Sequence, residues 1–145
     1  MTDDGLWDAY ANTRLLIGPA REIKVDLRLP IGDDLRQLLT NLGLGASFAI
    51  VTPCNPRGKR AEAWTNLLRY YRMRRRLVSL NLKFVTADGE SPDARHRERG
   101  FAIAMSRRDA AALARELEQL ALYWFDGQTF WIDGALGSRA PKRLP

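Results

Sequence analysis

The sequence predicts an α/β or α+β fold, with a mixed, single-layer sheet of about six strands, about four covering helices and a C-terminal β-hairpin. Three observations carry this expectation. Phe48-Ala49-Ile50-Val51 and Phe101-Ala102-Ile103-Ala104-Met105 are short apolar runs with no wet face, as in central strands covered on both sides. Segments of helical periodicity alternate with such runs, which is the pattern of a sheet layered with helices. Asp126-Gly127, between Tyr123-Trp124-Phe125 and Thr129-Phe130-Trp131-Ile132, is the chain's best hairpin turn signal.

Leu6, Trp7 and Tyr10 after Asp3 and Asp4 read as a short amphipathic helix with acidic caps. Ile23, Val25, Leu27 and Leu29 alternate with Lys24, Asp26 and Arg28, the period of a strand with one wet face. Leu35, Leu38, Leu39 and Leu42 then mark a helix that starts at Asp33 or Asp34 and stops at Gly43. After the central strand at 48–51, Trp64, Leu67, Leu68, Tyr71 and Val78 fall within about a third of a helical wheel and predict the face turned to the core. Leu80, Leu82 and Phe84 predict another strand, and the polar stretch 87–99, with Gly89 and Pro92, a mobile connection. Ser106-x-x-Asp109 is a capping box opening a helix with Ala110, Leu113, Ala114, Leu117 and Leu120 as its stripe. Helical crossovers imply some parallel pairing, and the Asp126-Gly127 hairpin imposes antiparallel pairing at one end.

A chain of 145 residues with 46% hydrophobic composition suits one domain, taken as 1–133, followed by a basic flexible tail at 134–145. The absence of a long apolar run, the acidic start and a single cysteine predict a cytoplasmic protein with no membrane association and no disulfide. One Cys and one His leave too few ligands for a structural metal, and no cofactor motif is present. Charge is concentrated: residues 57–76 hold eight Lys or Arg and one acid, Glu62, a local +7 in a chain of net charge +6. An anionic partner is thereby directed to one element. The oligomeric state is not encoded in these patterns.

The bend after 48–51, Thr52-Pro53-Cys54-Asn55-Pro56-Arg57-Gly58, stands where open sheets place ligands, next to the unpaired amides of a helix start. Thr52, Asn55, Arg57 and Asn66 are the candidate ligand-binding residues, with Glu98 as their polar partner from the neighbouring strand. This stretch resembles a bacterial family called domain of unknown function 3293, in which a Thr-Ala-x-Asn-Pro segment, a helical Asn, a Glu before an apolar strand and a Gln near the last helix's end recur. Here these are Thr52 to Pro56, Asn66, Glu98 and Gln119, with Pro53 in place of Ala; Trp7-Asp8-Ala9-Tyr10-Ala11-Asn12-Thr13 is also similar. The resemblance extends over roughly 7–133 and implies kinship without an activity.

The reading that results is a small binding or accessory domain whose strand-to-helix loop attracts a phosphate-bearing small molecule or nucleotide. Two alternatives compete with it. Arg69, Arg72, Arg74 and Arg76, with Tyr70 and Tyr71 interleaved, could track a nucleic-acid backbone. Glu98 could act as a general base in a small enzyme. Arg75 lies about 20° from Trp64 on the wheel, where an unpaired charge would be costly, so an Arg75–Glu98 ion pair is expected. Cys54 reads as a passive buried thiol, because His96, its one conceivable base, belongs to a charged loop.

Overall fold

In the computed structural model, which describes residues 3–137 and 139–145, the chain runs α1 (Asp3–Ala11), β1 (Arg14–Ile17), β2 (Ile23–Asp26), α2 (Asp33–Thr40), β3 (Phe48–Val51), a 3-10 turn (Pro56–Gly58), α3 (Ala63–Ser79), β4 (Phe84–Glu90), β5 (Arg97–Glu98), β6 (Phe101–Ile103), α4 (Arg107–Glu116), β7 (Ala121–Phe125), β8 (Phe130–Gly134) and β9 (Lys142–Arg143). The side chains of Asp3, Asp4 and Leu6, expected above as caps and as part of an apolar face, lie outside what it describes.

The architecture is α+β, a curled sheet in the order β2-β1-β4-β6-β3-β7-β8-β9 with β5 on β4. Nine strands replace the expected six, and every pairing among the described residues is antiparallel. The expected parallel pairing is absent for a topological reason. β3 and β4, joined through α3, both run against β6 and so share a direction, but β6 lies between them. In the same way β3 separates β6 from β7, which are joined through α4. The segment from β3 to β7 is therefore a β-α-β-β-α-β unit of split, ferredoxin-like order.

Strand alternation sorts side chains into two cores. Phe48 and Ile50 of β3, with Tyr123 and Phe125 of β7, join Trp7, Leu39 and the β1 and β2 side chains Leu15, Ile17, Ile23 and Val25. Ala49, Val51, Phe101, Ile103, Leu122 and Trp124 face the other way, onto Tyr70, Met73 and Leu77 of α3 and Ala110, Leu113 and Ala114 of α4. Burial of each large side chain contributes about 1.5–3 kcal/mol, so these two cores dominate over helix propensity. The Ser106 cap is present, its hydroxyl accepting from the Asp109 amide at 3.1 Å. The Asp126-Gly127 turn also forms; the Asp126 carboxylate accepts from the amides of Gln128 and Thr129, and Phe125 pairs with Phe130.

Three further expectations are corrected. The stretch 87–99 is strand near both ends, with β4 continuing to Glu90, β5 at Arg97–Glu98 and a turn over 91–96 between them; Arg21 pairs with Asp88, and Arg14 and Arg97 with Glu90, which makes a polar strand stable there. The tail returns to the body, where β9 pairs with β8 and Leu144 is buried, its amide donating to Phe130 O. Finally, α3 presents Tyr70, Met73 and Leu77 to the core, and Trp64, Tyr71 and Val78 are exposed.

Gly100 fixes how closely the inner strands approach. A Cβ at this position would stand 2.8 Å from the carbonyl oxygen of Val51 and 2.9 Å from that of Ala87, both backbone atoms. Gly100→Ala is predicted to lower the unfolding free energy by about 1–3 kcal/mol in urea titration with the slope unchanged. An unaltered midpoint would show that this contact can relax without loss.

Candidate functional site around Asn55 and Glu98

The chain leaves β3 through a bend in which almost every polar group has a local partner. The Thr52 hydroxyl donates to Arg99 O at 2.7 Å and accepts from the Cys54 amide at 3.1 Å. Asn55 adopts the left-handed conformation, φ 50° and ψ 60°, which asparagine tolerates better than most residues. Its amide donates to Asn66 Oδ1 at 2.9 Å, while Asn66 Nδ2 donates to Asn55 Oδ1 at 2.9 Å. The same Oδ1 accepts from the Ala61 amide at 3.0 Å, and Asn55 Nδ2 donates to Glu98 Oε1 at 2.7 Å. Thr52, Asn55, Asn66 and Glu98 thus converge because β3 and β6 are neighbours, with Val51 opposite Phe101.

Arg57 does not join them. It is exposed, its amide donates to Glu118 O and its guanidinium pairs with Glu118 at 3.1 Å. The expected Arg75–Glu98 ion pair is likewise absent: Arg75 is exposed, because the face of α3 turned inward is the opposite one, and Glu98 takes its bond from Asn55. Of the four arginines proposed for nucleic acid, Arg69 is tied inside, donating to Pro53 O and Leu117 O at 2.6 Å each, and Arg76 pairs with Glu116. Arg72 and Arg74 remain exposed.

Sequence reasoning missed the role of Arg69, which with Gln119 clamps the bend from below; Gln119 Nε2 donates to Cys54 O at 3.0 Å. A usable signal exists in the spacing Asn66, Arg69, Tyr70, Met73 and Leu77, a second stripe on α3 interrupted by polar residues. Tyr10 and Tyr123 were missed as neighbours of Glu98. Burial raises both phenols, and the charge of Glu98 adds to that rise.

Electrostatics set Glu98 apart. Asp88, Glu90 and Asp133 are buried carboxylates, and each holds an arginine. The hydrogen bond from Arg97 holds Glu90 below its ordinary range. Glu98 is partly buried beside Tyr10 and Tyr123 and receives an amide donor in place of a cation. Burial pushes its carboxyl up, opposed by the Asn55 bond. Burial also pushes the Cys54 thiol up, away from nucleophilic reactivity, and His96 is exposed in its loop. Among the described residues, no group of three His, Cys, Asp or Glu could hold a metal ion. Two surface concavities, of about 380 and 490 Å³, are lined respectively by Arg14, Arg21, Lys24 and Glu90 among others and by Arg107, Asp133 and Arg139 among others; neither includes Glu98.

Residues 51–122 match the family model described as protein of unknown function, DUF3293. The chain carries a DUF3293 domain. The matched span holds Thr52, Asn55, Asn66, Glu98 and Gln119 and leaves the segment 7–13 outside. Comparison of the chain with curated proteins and with solved structures finds no match. The DUF3293 span runs from the end of β3 to the start of β7, so the residues of the hydrogen-bonded cluster lie within the matched span.

The raised ionisation of Glu98 has a stability consequence of definite sign. A carboxyl whose folded value lies above its unfolded one stabilises the fold fully at pH below the unfolded value and loses that contribution as pH rises through the folded value. Glu98→Gln, neutral throughout, is predicted to melt above wild type at about pH 8 and to converge with it near pH 4. A variant that melts below wild type at the higher pH would mean that the charged carboxylate is a structural requirement.

Proposed function

We propose that the DUF3293 domain is a small-molecule-binding module that takes an anionic, phosphate-bearing ligand where the 52–58 bend meets the first turn of α3. The observation that carries this reading is the carboxyl of Glu98, held by an amide where the buried carboxylates of the same fold are held by arginines. Its second oxygen accepts no hydrogen bond among the described residues, which suits a hydroxyl or amino group of a ligand. A carboxyl kept above its ordinary range at some cost in stability fits a group retained for function.

The attraction for the anion comes from α3. The amides within the bend are consumed internally, by Thr52, Asn66, Glu118, Asn55 and Pro56. The amides of Ala63, Trp64 and Thr65 donate to no group among the described residues, and Glu62 makes no side-chain cap. These amides and the helix dipole favour negative charge, and Lys59 and Arg60 stand exposed beside them without ion pairs among the described residues. No helix among the described residues is long and apolar enough to cross a membrane, and a lone buried cysteine suits a reducing cytoplasm, where phosphorylated metabolites are plentiful.

Glu98 gives a second reading its specific support, because a raised carboxyl is also a competent general base. The binding reading is preferred because the other candidate catalytic groups are unsuited to assist Glu98: burial pushes the Cys54 thiol up, and His96 is exposed in its loop. Nucleic-acid binding through α3 ranks behind both, with Arg69 and Arg76 engaged internally.

A thermal-melting screen of inorganic phosphate, nucleotides and sugar phosphates tests the proposal. At a ligand concentration about 100 times Kd, stabilisation is about 2.7 kcal/mol, a rise of several degrees. The rise is expected to vanish in a Lys59→Ser, Arg60→Ser double variant and to shrink in Glu98→Gln. If no phosphate compound at about 10 mM moves the melting temperature of the wild type, the anion-binding reading is wrong.

A further inference from the structure

α3 carries a second apolar face that nothing among the described residues covers. Trp64, Leu68, Tyr71 and Val78 are 66%, 38%, 56% and 58% exposed, and they account for half of the eight large hydrophobic side chains exposed among the described residues. Their spacing, i, i+4, i+7 and i+14, sets them in one line about 21 Å long, on the side of the helix opposite Tyr70, Met73 and Leu77. Scattered exposed hydrophobics need no explanation; an aligned set of four does. Arg75 falls in the same line between Tyr71 and Val78, and Arg72 and Arg74 flank it on either side. None of the three makes an ion pair among the described residues, and α3 contains no Asp or Glu.

We propose that this face of α3 docks an acidic amphipathic helix of a partner protein. Charge complementarity selects that occupant. The surface is an apolar line with a guanidinium in its middle and one on each side, so its complement is an apolar stripe with a carboxylate among its anchors and more along its edges. Trp, Tyr and Arg are also the residue types that dominate binding energy at protein interfaces. A second copy of the chain would bring six unpaired guanidiniums together with no acid from either helix. An anionic bilayer would draw Arg75 below the headgroups along with Tyr71 and Val78, where its charge is disfavoured. Nucleic acid would satisfy the arginines and leave Leu68 and Val78 in contact with phosphate and water. A partner helix of about four turns spans the line. This surface is separate from the Glu98 cluster, which lies on the inward side of the same helix.

The test uses a fluorescein-labelled peptide of roughly 20 residues with Leu at i, i+3, i+4 and i+7 and Glu elsewhere, beside a shuffled peptide of the same composition. Fluorescence anisotropy against the full chain at about 150 mM salt is expected to show saturable binding at least about 10-fold tighter than for the shuffled peptide. Leu68→Ser with Tyr71→Ser, and separately Arg75→Glu, should each weaken it by about 10-fold or more, with circular dichroism unchanged because these side chains are exposed. The proposal is overturned if the two peptides bind alike or if the variants bind as wild type does. It is equally overturned if sedimentation shows wild-type self-association that Tyr71→Ser abolishes. Anionic vesicles or a single-stranded oligonucleotide competing the peptide off and binding more tightly through the same residues would assign the face to another class of partner.

Discussion

The carboxamide of Asn55 is the point at which the separate parts of this fold are held in register. Its oxygen accepts from Ala61 and Asn66, its nitrogen donates to Glu98, and its backbone turns left-handed so that the chain can leave the sheet and enter α3. The approach to α3, its first turns and the distant strand β5 therefore meet on one side chain. That meeting depends on β3 lying beside β6 with Val51 opposite Phe101, which in turn depends on the missing side chain at Gly100. A shift of one residue in that pairing would turn Phe101 and Ile103 to the other face of the sheet and displace Gly100 and Glu98, which precede them, relative to Asn55.

The same polar cluster decides how α3 is rolled. Turned the other way, the helix would bury Trp64, Tyr71 and Val78, each worth about 1.5–3 kcal/mol, in place of Tyr70, Met73 and Leu77. It would then carry Asn66 and Arg69 into solvent and leave Asn55, Pro53 O and Leu117 O without their partners. Buried polar groups left unpaired cost about 1–3 kcal/mol each, and hydrogen bonds from a charged donor are the stronger kind. The observed roll satisfies the bend and keeps an apolar core face as well. Its consequence is a line of aromatic and aliphatic side chains left exposed beside arginines that make no ion pair among the described residues, the surface proposed above for a partner helix.

Much of the sheet was legible from local pattern, because inner strands must be apolar on both sides and short hairpins demand particular turn residues. The runs at 48–51 and 101–103, the Ser106 cap and the Asp126-Gly127 turn all obey those rules. The proximity of Glu98 to Asn55 could be anticipated for the same reason, since each residue follows or precedes one of the two inner runs. The face of α3 was not legible: it carries two apolar stripes on opposite sides, and periodicity alone favours the one with Trp64 and Leu68. Choosing correctly requires knowing that Asn66 and Arg69 have backbone and amide partners within the bend, which is tertiary information. β1 was missed because Arg14-Leu15-Leu16-Ile17 is brief and lacks alternation, and β4 was cut short because Asp88 and Glu90 look like loop residues until Arg14, Arg21 and Arg97 are placed beside them.

Glu98 is the residue on which the functional reading turns, and its ionisation can be followed directly. Side-chain carboxyl chemical shifts recorded by NMR across a pH series would give its midpoint in the intact domain. With burial outweighing the Asn55 bond and no arginine paired to it among the described residues, the midpoint should lie above that of an ordinary glutamate. A midpoint at or below the ordinary value would mean that Glu98 is a solvated or cation-stabilised carboxylate like its neighbours, and would remove the reason for placing a site there.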